Sequence, residues 1–206
     1  DAEVIGTIPD DIDGVYVRTG EVPVHEPIGR YHPFDGDGFI HSISFKGGRA
    51  SYRSRFVRTK AFQAEQEAGR ALWAGLMEPP HKSTRPGWGA QEWLKDSSST
   101  DVAIHAGRII STFYQCGEGY RLDPFTLEQF GTESWVPLDG ISAHCKVDLA
   151  TGELMFFNYS KHAPYMHYGV VGADNKLKHY IPVPLPGPRL PHDMAFTENY
   201  TILNYM

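Results

Sequence analysis

Two segments, Ser142-Ala-His-Cys-Lys-Val-Asp148 and Pro191-His-Asp-Met-Ala-Phe-Thr-Glu-Asn-Tyr200, each set one imidazole among strand-type residues with carboxylates nearby. Neutral imidazole is a good ligand for divalent first-row metals, and a ligating ring is normally oriented by an acceptor on its other nitrogen. His144 and His192 therefore point to a metal built into a β-sheet protein. Other chemistries are less well supplied. Ser142 lies close to His144 but lacks a nucleophile-elbow sequence. Asp35, Asp37, Glu118 and Asp123 are numerous enough for the paired carboxylates of a glycosidase, yet Asp35 and Asp37 belong to a glycine turn that already explains them. No protein nucleophile, acid–base pair or organic-cofactor motif is singled out.

The remaining histidines have plainer surroundings. His25, His32, His81, His162, His167 and His179 lie in polar or turn-like stretches, and His162 and His167 in an aromatic one. His41 follows Asp35-Gly-Asp-Gly38, whose glycines permit left-handed backbone and whose aspartates can accept from nearby N–H groups.

Positioning such a metal falls to short β-type runs: 14–18, 39–45, 50–57, 102–105, 108–114, 154–159 and 165–171, with a further apolar pattern over 201–206. Gly47-Gly48, His105-Ala-Gly107, Ala150-Thr-Gly152 and Ala173-Asp-Asn175 punctuate them as turns. Many short strands with tight turns suit a sandwich, a barrel or a propeller, and spacing alone does not choose among them. From Lys60 to Leu94 the pattern changes: Ala61, Phe62, Ala64, Ala68, Ala71, Leu72, Leu76 and Met77 form an incomplete apolar stripe, ended by Pro79-Pro80. This reads as a helical insertion at about 60–94 lying over one sheet face, with a substrate lid or a peripheral membrane contact as its other readings.

With 206 residues, 41% of them hydrophobic, the chain can bury a sizeable core. The net charge of −6 is spread out and no basic run is interleaved with aromatics, so nucleic acid is not an expected partner. Cys116 and Cys145 are expected as two free thiols in a reducing, cytoplasmic compartment. The start at Asp1 and the stop at Met206 within a strand pattern both read as cuts.

Six motifs carry a resemblance along nearly the whole chain: Arg18-Thr-Gly-Glu-Val-Pro23, His32-Pro-Phe-Asp-Gly-Asp-Gly-Phe-Ile-His41, Tyr52-Arg-Ser-Arg-Phe-Val-Arg-Thr59, Tyr120-Arg-Leu-Asp-Pro124, and the two histidine segments in that order. The chain resembles the carotenoid cleavage oxygenase family, and its 161–205 stretch is most similar to the lignostilbene dioxygenase branch. The resemblance implies an all-β fold, part of a seven-bladed β-propeller with a short helical insertion, in which residues 1–206 are the N-terminal portion of one domain. It implies an Fe(II)-dependent dioxygenase that cleaves a conjugated carbon–carbon double bond with O2 to give two carbonyl products. The substrate class is a small apolar or aromatic conjugated alkene, stilbene-like or apocarotenoid; the oligomeric state is left open.

In that family four histidines hold the iron; the first two fall on His144 and His192, whose rings are therefore expected to project from inner strands toward a common point, and the others would lie beyond Met206. These residues alone are therefore expected to be inactive. A family glutamate that orients the second histidine falls, on this alignment, at Gln115, which is neutral; Glu118 is the nearby carboxylate that could replace it. Tyr114 occupies the position where the lignostilbene branch carries a substrate-binding lysine. The alternative implied by Gln115 is a non-catalytic propeller that binds its ligand and has lost the oxygenase chemistry.

Overall fold

The strands expected from the sequence all form, and they assemble as antiparallel meanders. The computed structural model describes residues 3–88 and 92–205. Strands β1 (Gly14–Val22), β2 (Asp37–Lys46) and β3 (Arg49–Phe56) make the first sheet, in that order. The second contains β4 (Asp101–His105), β5 (Arg108–Thr112), β6 (Tyr120–Leu122) and β7 (Gln129–Thr132). The third contains β8 (Lys146–Val147), β9 (Leu154–Tyr159), β10 (Met166–Val171) and β11 (Leu177–Pro182), again neighbour to neighbour. A last pair, β12 (Met194–Phe196) and β13 (Thr201–Leu203), follows. The β2–β3 and β4–β5 hairpins turn on Gly47-Gly48 and Ala106-Gly107, with all four residues at positive φ as two-residue hairpins require.

The middle strands explain why the sheets stack in series. Adjacent residues of a strand face opposite sides, and on β5 Ile109 packs with Ile40, Val57 and Leu122 while Ile110 packs with Ile141, Leu154 and Phe156. On β9 the division repeats: Phe156 joins Ile110 and Trp135, whereas Phe157 joins Cys116, Met166 and Met194. Every residue of β9 is buried, so it reads as an unbroken apolar run and not an alternating one. The outer strands β3 and β11 are almost wholly exposed. A four-stranded meander facing neighbours on both sides is the unit of a propeller, and among the described residues the sheets form an open series with no closed ring.

The helical expectation for 60–94 is corrected. Helix α1 spans only Lys60–Ala68; Thr59 caps it by accepting from the Phe62 N–H at 2.9 Å, and Gly69 ends it at φ 64°. The Gly69 and Arg70 N–H groups turn back onto the carbonyls of Gln66 and Glu65, a helix-stopping pattern that overrides the apolar spacing beyond it. The following coil satisfies its backbone through side chains: Glu65 accepts from Leu72 N–H, Ser83 from Ala74 N–H, and Asp35 from Leu76 N–H. Leu72 and Trp73 still pack on Ala61, while Met77 is exposed. Residues 89–91 of this expected span lie outside the described residues, and Trp88 and Leu94 on either side form a β-bridge.

Lys95 then reaches the buried carboxylates of Asp37 (2.7 Å) and Glu65 (2.8 Å), tying β2, α1 and the approach to β4 together. Gly38 admits that approach closely: its N–H donates to Ser97 O at 2.9 Å, and a Cβ there would stand 2.3 Å from Ser98 O. The Asp35-Gly-Asp-Gly38 turn is thus a structural staple, as its composition suggested. Among the described residues no helix is long and apolar enough to cross a membrane.

Candidate metal centre

The first strands of successive sheets lie side by side, β1 against β4, β4 against β8, and β8 against β12. Asp101 opens β4, His144 stands two residues before β8, and His192 two residues before β12. Three chemically active side chains are thereby gathered at one end of three neighbouring strands. The His144 and His192 rings lie 5.0 Å apart between centroids, at 61°. They converge as expected, but from the segments that lead into the strands and not from the strands themselves. His144 has φ 61°, a left-handed backbone that no strand residue adopts and that costs about 1–3 kcal/mol outside glycine unless its surroundings enforce it.

Two contacts do the enforcing. His144 Nδ1 is 3.0 Å from Asp101 Oδ2, and Lys146 Nζ is 2.7 Å from Asp193 Oδ1, joining the two histidine segments directly. The hydrogen bond to Asp101 holds the pKa of His144 above the usual imidazole value, against partial burial. Partial burial works against the charge of Asp193, and Lys146 outweighs it, so that carboxyl titrates below its usual range. Cys145, between His144 and Lys146, is not a comparable donor: burial pushes its thiol up to about 12, and Sγ points to Ser142 O at 3.6 Å. Both cysteines are free, as expected.

An ion about 2.1 Å from one nitrogen of each ring would hold the two centroids roughly 4.5–5.2 Å apart for angles from square to tetrahedral. The observed spacing fits, and imidazole is a donor type that iron(II) accepts. Among the described residues no group of three or more His, Cys, Asp or Glu side chains could hold a metal, and the imidazole pair is the candidate donor set.

Neither expected orienting residue is hydrogen-bonded to the His192 ring among the described residues. Gln115 is buried, and its Oε1 accepts no hydrogen bond among the described residues. Its neighbour Cys116 packs in the same cluster as Met194, two residues after His192. Glu118 faces elsewhere: Oε1 meets Lys60 Nζ at 2.5 Å and Oε2 accepts from the Tyr120 hydroxyl at 2.7 Å. Its carboxylate is thus committed to the α1 side. Asp101 was missed by sequence reasoning, since a single aspartate opening a strand carries no spacing signal.

Six of the other histidines meet neighbouring groups of the scaffold. His32 Nδ1 accepts from Phe34 N–H, and His41, His25 and His162 meet Tyr52, Gln66 and Glu92. His167 stacks on Tyr180. His105, buried at the far end of β4, meets Gly152 O at 3.1 Å. Thr100, next to Asp101 in the chain, accepts through Oγ1 from Tyr114 N–H, and the half-buried Tyr114 ring meets Phe113 and Phe34 edge-on, at 5.0 and 6.3 Å.

The chain is similar to known proteins along nearly its whole length. The family described as retinal pigment epithelial membrane protein (RPE65) matches residues 1–206. Carotenoid 9,10(9',10')-cleavage dioxygenase 1 of Phaseolus vulgaris is 31% identical, over 98% of this chain and 40% of its own length. Resveratrol cleavage oxygenase 1 of Aspergillus fumigatus is 33% identical, over 97% of this chain and 40% of its own length. The crystal structure of Pseudomonas brassicacearum lignostilbene dioxygenase superposes with a TM-score of 0.79 at 26% identity, covering 98% of this chain and 42% of that one. The chain thus spans about 40% of the length of the curated relatives it matches.

Proposed function

We propose, from the premise that the chain belongs to the carotenoid cleavage oxygenase family, that it supplies two imidazole ligands of an iron(II) centre in an alkene-cleaving dioxygenase. The observation that carries this reading is the His144–His192 pair, 5.0 Å apart at the shared end of neighbouring strands. Two imidazoles leave such an ion short of donors, and a seven-bladed ring, of which these sheets would be a part, would bring the others. Bound iron(II) supplies open coordination positions and electrons for dioxygen chemistry. His144 and His192 hold it, and the Lys146–Asp193 pair keeps their segments in register. Tyr114 and Phe34, whose rings meet edge-on at 6.3 Å, are the aromatic groups we assign to seating a flat conjugated alkene and displacing water from it. One alkene and one O2 become two carbonyl compounds, a balance that requires no further oxidant.

Metal analysis of the intact protein tests this. It should hold about one iron per chain, and His144→Ala or His192→Ala should each weaken iron binding more than the roughly 10–100-fold typical of losing a residue that only orients a ligand. Exposed His179, changed to alanine, should have no effect. Iron retained by both variants would overturn the reading. Iron poorly held by the unaltered protein, together with tight alkene binding, would instead favour the non-catalytic reading that the neutral Gln115 raises.

Tyr114 bears on the substrate. Burial raises the pKa of its hydroxyl, so it offers a neutral hydrogen bond and no cation to stabilise a phenolate. A substrate para-hydroxyl should then contribute one ordinary hydrogen bond, and a para-hydroxystilbene and its methyl ether should be cleaved with kcat/KM within about tenfold of each other. Cleavage of the hydroxystilbene alone, with neither the ether nor an apocarotenoid aldehyde turned over, would show that another residue supplies the charge.

A further inference from the structure

We propose that Asp101 is the positioning residue of His144, fixing the ring with its proton on Nδ1 and the lone pair of Nε2 free for the metal. The inference deepens the iron reading and rests on it for the metal's identity, though not for the ring's tautomer.

The carboxylate is itself held before it meets the histidine. Asp101 Oδ1 accepts from the Val102 N–H at 2.8 Å, its carbonyl accepts from Thr112 Oγ1 at 3.2 Å, and its backbone pairs with Thr112 in the β4–β5 ladder. That leaves Oδ2 aimed at His144 Nδ1 at 3.0 Å. An ionised carboxylate only accepts, so Nδ1 must carry the hydrogen, and a neutral ring then has its acceptor pair on Nε2. The left-handed φ of 61° at His144 places the ring across the gap between β8 and β4, where Asp101 meets it from the neighbouring sheet. Asp193, the other carboxylate close by, is drawn off by Lys146 and by the Met194 N–H. A carboxylate on the outer nitrogen also makes the ring a stronger donor and sets its negative charge beside the cation.

The test uses Asp101→Asn and Asp101→Ala in the intact protein, with Asp101→Glu as the conservative variant. In the metal-free protein, long-range 1H–15N NMR should find the His144 proton on Nδ1, with the Nδ1-protonated fraction falling in the Asn and Ala variants and returning at least in part in the Glu variant. Titration with cobalt(II), read by its visible spectrum, should show about 10–100-fold weaker binding in the Asn and Ala variants and a shifted spectrum for the ion that does bind. The Asn variant preserves side-chain volume and serves where the Ala variant fails to fold. A His144 proton on Nε2 in the unaltered protein would overturn the proposal, as would unchanged cobalt affinity and spectrum in folded Asn and Ala variants. If the unaltered protein binds neither iron nor cobalt while the tautomer still depends on Asp101, the iron reading fails and the orienting contact stands.

Discussion

Lys95→Met should destabilise the protein by about 3–5 kcal/mol at pH 7, the range for removing one partner from a buried ion pair. Lys95 is enclosed between Asp37 and Glu65, both almost fully buried. Burial works against its charge, and the two carboxylates more than offset that, so its pKa is raised. Burial already pushes the Asp37 carboxyl up, with Lys95 as the chief opposing influence. Methionine keeps most of the length and apolar volume of lysine, so the loss isolates the charge. The pH dependence has a definite sign. A carboxyl whose folded pKa lies above its unfolded value holds a proton that the unfolded chain has released, so stability falls as pH rises through that interval. Without Lys95 the interval widens for Asp37, and the deficit should be larger at pH 7 than at pH 5. Denaturant midpoints of both proteins at the two pH values check this; an equal deficit at both would mean that neither carboxylate gains a proton when the lysine is lost. Lys95 precedes the segment that delivers Asp101, so weaker metal binding at the proposed site would follow in the variant from the same loss of anchoring.

The elements legible in the sequence are those with a local signature. Paired left-handed residues at Gly47-Gly48 and Ala106-Gly107 announced their hairpins, and the apolar runs of β2, β5, β9 and β10 their strands. Strands β6, β8 and β12 are two or three residues long, too short for any alternation to show, and they exist because neighbours supply their ladders. The helix was overextended because apolar spacing continued past Gly69, whose φ of 64° is a backbone fact with only a weak sequence trace. Of the candidate site, the two imidazoles were readable because each sits in a distinctive segment. Their partners were not, since those contacts cross between sheets: Asp101 is 43 positions from His144. The negative charge sought near Gln115 is placed by the fold on Asp101 instead, beside the other histidine. Glu118 illustrates the converse, a carboxylate at a plausible spacing that the fold turns toward Lys60.

Neighbouring substitutions on β9 should separate the two interfaces that the strand joins. Phe156→Ala and Phe157→Ala remove rings that are essentially fully buried, and each should cost about 3–5 kcal/mol. Gly169 presses so closely on the Phe156 ring that a Cβ there would stand 2.2 Å away, which argues that the wall around Phe156 is rigid and that its cavity will not collapse. The consequences should then diverge. Phe156 lies 5.3 Å from the Trp135 ring, whose Nε1 donates to Asn175, so its loss should alter Trp135 fluorescence in the folded state. Phe157 faces the opposite side and packs with Met194, so its loss should leave Trp135 unchanged and shift the NMR signals of His192, two residues away. If Phe157→Ala disturbed Trp135 and left His192 untouched, β9 would be facing the other way, and the route by which core packing holds the His192 segment in place would be wrong.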